Sequence, residues 1–273
     1  VFKENKIIKF LKKDSSKFRV LQLSNKIPNF LAAFELESIG GYHPAKLSVI
    51  SNAERNIQWM EALESNGQFD QGLKYFSGLL KMLNVKYILK KTPSLSESLE
   101  FIIFDKRTKN YLYKFKGFSD RVYFPKKVEK IERDLIDEKI YFHPEKEFHQ
   151  YDPYEVVYSN ISKIKGNEDR SMAKIKSWTP NRIEISVEAE KENFLVLSEI
   201  FYPKGWSVTS HPNIEILLVN NMLRGFIVPE GSYTLVLEFS PLDLELGSII
   251  SNIIFYLIFV FFVIKIFYKK NDS

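Results

Sequence analysis

The final stretch of the chain, "IISNIIFYLIFVFFVIKIFYKKNDS" from Ile249 to Ser273, limits what the rest can be. From Ile249 to Ile264 only Ser251 and Asn252 interrupt the apolar run, and Ile266, Phe267 and Tyr268 extend it. That is about the ~20 residues a helix needs to cross the hydrocarbon core of a bilayer. A helix packed against a soluble core keeps a polar stripe. Here Phe255, Leu257, Ile258, Phe259, Val260, Phe261, Phe262 and Val263 cover every face. The run therefore reads as a transmembrane helix, with Lys265 near one end, where it snorkels to the interface.

Charge sets its direction. Lys269 and Lys270 follow the run, whereas "SPLDLELGS" before it holds acids and no base. The positive-inside rule then leaves the tail in the cytoplasm and the bulk of the chain outside the plasma membrane. A tail-anchored cytoplasmic protein is the competing topology. An outward domain has to be carried across the membrane, and the opening "VFKENKIIKFLKKD" lacks an h-region, since "KIIKFLKK" is too short and too charged. The expectation is a piece of a longer protein whose preceding part supplies at least one more membrane span.

The 273 residues suffice for about two domains ahead of that helix. With no cysteine, the chain forms no disulfide, thiolate zinc site or cysteine nucleophile. Net charge is +5, but lysines and acids alternate along the chain as on a solvated face, so no nucleic-acid partner is expected.

The first part reads as α/β. "NKIIKFLKK" is a short amphipathic helix, "KFRVLQL" a strand, and Leu47, Ile50, Ile57, Met60 and Leu63 give a helical stripe behind Pro44. "FDQGLKYFSGLLKMLNVKYILKK" ends a second helix near Leu83 and enters a strand at Val85. "LEFIIFD", "YLYKFKG" and "RVYFP" are further strands, and "KKVEKIERDLIDEK" is a charged helix candidate. Beyond about Arg170 the texture turns all-β. Ile183, Ile185 and Val187 alternate with charges, "NFLVLSEIFY" is continuously apolar as an inner strand would be, and "PEGS" marks a turn. The expected fold is α+β: an α/β domain over 1–141, a linker over 142–170, a small antiparallel β-sandwich over 171–246, a transmembrane helix over 247–268 and a tail over 269–273.

Candidate chemistry is sparse. "HPEKEFH" groups His143, Glu145, Glu147 and His149, but the spacing matches no established ligand motif and a solvated loop is the favoured reading, so no metal is assigned. Glu184, Glu188 and Glu190 share a strand, where paired carboxylates serve glycosidic chemistry at set separations; alternation favours a solvent-facing surface. No phosphate loop, G-x-S-x-G elbow or H-E-x-x-H is present, so no catalytic residue and no cofactor is assigned. In "FYPKGWSV" the aromatic faces of Tyr202 and Trp206 flank a Pro-Gly turn, as a sugar platform would, while the favoured alternative has Trp206 plugging one end of the sandwich core. Tyr42 and His43 sit in the glycine-flanked "GGYHP" turn, and loops carry function. These four are the candidate substrate-binding residues.

"SIGGYHPAKL", "LLKMLNVKYILKK", "LVLSEIFYPKGWSV", "VNNMLRGFIVPEGSYTLVLEFSP" and "LELGSIIS" occur in an order similar to that of the YfhO family of bacterial membrane proteins. The chain resembles that family's C-terminal extracytoplasmic part plus its last membrane helix. It departs in "SVTSHPNIEI", where the family has an acidic-Gly turn. The resemblance implies a polytopic, GT-C-like glycosyltransferase that transfers sugar from a polyprenyl-phosphate donor to a cell-envelope polymer such as lipoteichoic acid. It implies as partners the bilayer, the preceding membrane helices of the same protein, the lipid-linked sugar and cell-wall glycan. The family's catalytic acid belongs to an early outer loop, so no residue of this chain inherits that role. The reading of a different class is a non-catalytic glycan-binding or envelope-assembly module.

Overall fold

A computed structural model of the chain describes residues 3–23, 29–39, 47–145, 150–161, 170–202 and 204–271. The fold is α+β, with several antiparallel sheets and one C-terminal apolar helix.

Helix α1 (Lys6–Leu11) is capped by Asn5, whose side chain accepts from the Ile8 amide at 2.8 Å. Strand β1 (Arg19–Gln22) leads on to α2 (Ser51–Ser65), α3 (Phe69–Met82) and β2 (Val85–Lys90). Strands β3 (Leu99–Asp105) and β4 (Asn110–Phe115) complete a four-stranded sheet in the order β1-β2-β4-β3. Strand β1 runs parallel to β2, which needs a crossover, and α2 and α3 supply it. Ile7, Ile8 and Leu11 of α1 cover one face of this sheet with Val20, Tyr87 and Leu112. Met60, Phe76 and Leu80 from α2 and α3 cover the other with Val85, Ile88 and Tyr113.

The charged segment after residue 126 differs from its helical expectation. Its first half is strand β6 (Lys127–Lys130), and only Arg133–Ile140 is helical, as α4. Strand β6 pairs in parallel with β7 (Val156–Ser159), a strand the sequence does not announce. A partner distant in the chain outweighs the local helical preference of the lysines and glutamates.

The sandwich is built from two antiparallel sheets. One has the order β12-β13-β10-β5, from β5 (Val122–Tyr123), β10 (Asn193–Ile200), β12 (Leu217–Val219) and β13 (Leu223–Val228). The other has the order β11-β14-β9-β8, from β8 (Met172–Thr179), β9 (Arg182–Ala189), β11 (Trp206–Val208) and β14 (Gly231–Phe239). Between them lie Ile183, Ile185, Val187, Leu195, Leu197, Phe226, Leu235 and Leu237, all buried. The β12–β13 turn places Asn220 and Asn221 at φ of 51° and 54°, the left-handed pair a type I′ hairpin requires.

Strand β10 is buried on both faces. Leu195 and Leu197 enter the sandwich core, whereas Phe194 and Val196 enter the core shared with α2 and α3. Its unbroken apolar run follows from that position. The second sheet leads directly into α5 (Leu242–Asn271), whose Leu242–Lys265 segment is long and apolar enough to cross a membrane. Its 24 residues extend about 36 Å at 1.5 Å per residue, against a hydrocarbon core of about 30 Å. None of that segment packs inside the protein, and Ile253 through Phe262 are each more than half exposed.

Candidate functional site

Two tryptophans bracket a half-buried chain of charges, with Arg121 buried at its centre, where the α/β layer meets the sandwich. Arg19 leaves β1 and donates through Nη1 to the Leu83 carbonyl at 3.0 Å and to Ser198 Oγ at 3.2 Å. Its Nη2 donates to Glu199 Oε1 at 2.7 Å. Arg121, immediately before β5, reaches the same Glu199 oxygen at 2.9 Å, bonds Glu37 and donates to Asn84 Oδ1 at 3.0 Å. Glu37 also pairs with Lys17. Ser198 in turn donates to the Met82 carbonyl at 2.7 Å, tying β10 to the end of α3.

The electrostatics follow from burial. Burial, then the neighbouring Arg121 charge, pull Arg19 down to about 10, against Glu199 and Glu37, so it stays charged at neutral pH. Burial pushes the Glu37 carboxyl up, but Arg121, Lys17 and Arg19 together outweigh it and hold the group below its ordinary value. A network of this kind stands only when its members satisfy one another.

Trp178 of β8 closes one side. Its ring lies 4.5 Å from Lys17 Nζ and 5.2 Å from the Arg121 guanidinium carbon. Trp206 of β11 closes the sandwich end, 4.4 Å from the guanidinium carbon of buried Arg224. Arg224 Nε donates to the Ile200 carbonyl at 3.0 Å. Burial draws Arg224 down to about 10, against the opposing pull of Glu199.

Among the residues singled out from sequence, Trp206 and Tyr202 come together at the root of α5. Trp206 pairs with Phe239 across β11 and β14, its ring 5.4 Å from the Phe239 ring, and Tyr202 stands 6.3 Å from that same ring. Gly205 has φ of 104°, and a Cβ there would meet Phe239 and Pro241, so the turn is latched to the strand that becomes the helix. Trp206 is half-buried against the sandwich core and Tyr202 is 38% exposed. Tyr42, His43, Glu147 and His149 lie outside the described residues. Glu184 pairs with Arg182 at 3.0 Å, whereas Glu188 and Glu190 are exposed. No group of three or more His, Cys, Asp or Glu able to hold a metal occurs among the described residues.

Sequence reasoning does not find Arg19, Glu37, Arg121, Trp178 or Glu199. The alternation of Ala173 and Ile175 with Lys174 and Lys176 was the available signal for β8, and Trp178 lies on that strand. Between β8 and β5, the outer strands of the two sandwich sheets, opens a cleft of about 1220 Å³. Lys17, Arg121, Tyr123, Lys174, Lys176 and Trp178 are among the residues lining it. Comparisons of the chain with protein-family models, curated proteins and solved structures find no match.

Proposed function

We propose that this chain is the extracytoplasmic, membrane-anchored part of a YfhO-type, GT-C-like glycosyltransferase. In this reading α5 crosses the plasma membrane with Lys269 and Lys270 inside, and the sandwich stands on the outer surface. The parent protein moves sugar from a polyprenyl-phosphate carrier to an envelope polymer such as lipoteichoic acid, and this part holds or shapes the acceptor. The observation that carries it is the exposed apolar face of Leu242–Lys265, which begins three residues after the last sandwich strand ends at Phe239. That connection leaves the folded layers beside the headgroups, where Tyr202 and Trp206 suit an aromatic interface belt.

These 273 residues hold no cysteine, so a parent protein cleared of any cysteine elsewhere gives a single-site test. Single cysteines replace Lys191, in the β9–β10 turn, and Ser273, and intact cells receive a membrane-impermeant maleimide. Labelling at 191 and protection at 273 are the expected result; the reverse pattern removes the reading. Deleting the parent gene is expected to abolish transfer of labelled sugar from the lipid carrier to the envelope polymer.

The cleft between β5 and β8 favours a second role of different class, a glycan-binding module without chemistry of its own. Full transferase activity in cells whose parent protein lacks residues 171–239 would exclude both the acceptor role and this one.

A further inference from the structure

We infer that the cleft between β5 and β8 is a binding site for an anionic saccharide, gripped through its phosphate or carboxylate oxygens. Its saccharide half rests on the functional reading above; its preference for an anion rests on the cleft alone.

The lining has two features that ordinary surface grooves lack. The first is a pair of buried donors without acceptors. Arg121 is 3% exposed and Tyr123 4% exposed, and among the described residues Arg121 Nε and Tyr123 Oη have no hydrogen-bond partner. A buried donor left unpaired loses its water without gaining an acceptor, so such groups in a native fold call for one. The second is an excess of positive charge. Lys174 and Lys176 stand exposed on β8, and Lys17 and Lys126 stand at the opposite wall, against the carboxylates of Asp120 and Glu188. Lys126 pairs with Glu155 and Lys17 with Glu37, but Lys174 has no ion-pair partner among the described residues.

The remaining wall is aromatic. Trp178, held by Lys17 and Arg121, and Tyr154, 4.9 Å from the ring of Tyr123, present flat apolar surface beside these donors. Lys176 Nζ donates to Thr234 Oγ1 at 3.2 Å, which leaves its charge without an ion-pair partner among the described residues. Unpaired donors, exposed cations and flat rings together suit a ligand with oxyanions on a ring skeleton. A neutral sugar would leave the lysines unanswered, and a bare inorganic anion would leave the rings bare. The volume exceeds that of typical small-molecule pockets, about 300–1,000 Å³, and so admits several sugar units.

The test uses the full chain in lipid nanodiscs and isothermal titration with phosphorylated maltohexaose, a galacturonate hexamer, unmodified maltohexaose and ATP. Binding of either anionic hexamer is expected, weakening with added salt, and the stronger of the two identifies phosphate or carboxylate as the preferred group. The exposed double variant K174E/K176E should bind about ten-fold more weakly with an unchanged melting temperature. Tyr123→Phe, which keeps the ring and removes an unpartnered buried hydroxyl, should weaken binding with a melting temperature at or above that of the parent. Equal binding of unmodified maltohexaose, or no anionic binding, overturns the proposal. So does an unchanged affinity in K174E/K176E, or preference for ATP over both hexamers. Because nanodisc titration is indifferent to orientation in cells, failure here leaves the cysteine-labelling result standing, and the converse also holds.

Discussion

The guanidinium of Arg121 lies under the indole of Trp178, 5.2 Å from ring centroid to carbon, although Trp178 is on β8 and Arg121 immediately precedes β5, a strand of the opposite sheet. Arg121 also bonds Asn84, at the start of β2, and Glu37, beyond β1. One side chain thus fastens three elements distant in sequence, and the aromatic lid shields its charge from water.

Replacing Trp178 by alanine removes two cation–π contacts and part of the packing over the sandwich core. The expected loss is about 1–3 kcal/mol, and Trp178→Phe should recover roughly half of it. Thermal unfolding of the detergent-solubilised chain reads both. Equal melting temperatures for the alanine variant and the parent would show that the lid is idle.

Arg121→Met leaves the half-buried Glu37 and Glu199 against fewer cations, and because water screens both carboxylates the expected cost is about 1–3 kcal/mol, below that of a fully buried pair. Combining it with Glu37→Gln removes the stranded charge. The double variant should therefore be more stable than the sum of the single changes, by about 1–3 kcal/mol. Denaturant unfolding of the four proteins in the cycle measures that coupling, and additivity would contradict the network.

Much of the sandwich was legible because burial imposes a period. Ile183, Ile185 and Val187 are buried while Glu188, on the opposite face of β9, is exposed, and the unbroken run at Phe194–Leu197 marks a strand covered on both faces. The apolar terminal helix was legible from length and composition. The charge network was not. Arg19, Glu37, Arg121 and Glu199 carry no local pattern, since each is defined by partners up to 180 positions away. The strand at Val122 and Tyr123 was legible in "RVYFP", but its place in the sandwich was not, because that comes from pairing with Leu197 and Val196, distant in the chain. Gly78 shows no local reason in the sequence either, because what requires it is the Tyr151 backbone packed against α3.

That reason gives a prediction. A Cβ on Gly78 would collide with the carbonyl oxygen of Tyr151, which is backbone and has no rotamer to escape into. Gly78→Ala gains helix propensity of about 1 kcal/mol yet should be destabilising overall by about 1–3 kcal/mol. Gly67→Ala makes a control of another kind, because nothing lies near its Cβ and only its φ of 70° opposes substitution. A Gly78→Ala protein as stable as the parent would refute the close approach.

Asp14, Glu37 and Asp70 are among the depressed carboxyls that set the acid limit. Burial pushes Asp14 up, but hydrogen bonds from Lys86, Ser16 and Tyr87 outweigh it and hold the group at about 2. Glu37 likewise lies below its ordinary 4.5. A folded-state value below the unfolded one stabilises the protein above the unfolded value, and that contribution is lost as pH falls through the folded one. Stability should therefore decline from about pH 4.5 and keep falling toward pH 2. Asp14→Asn should flatten the lower part of that curve and Glu37→Gln the upper part. A melting temperature constant between pH 5 and pH 2 would rule out both assignments.

The helix makes the sharpest demand. Val260 sits near the middle of the apolar stretch, more than half exposed and flanked by Phe259 and Phe261, which have no protein partner beyond their own helix among the described residues. In water such a surface would drive aggregation; in lipid it is matched to its solvent. Val260→Arg should cost about 2.5–3.5 kcal/mol of insertion free energy, whereas Val260→Leu should cost nothing. Carbonate extraction of membranes reads the difference, with the leucine variant in the pellet and the arginine variant shifted toward the supernatant. An arginine variant that stays in the pellet as firmly as the parent would mean that α5 packs against protein rather than acyl chains, with the cation facing a polar partner there.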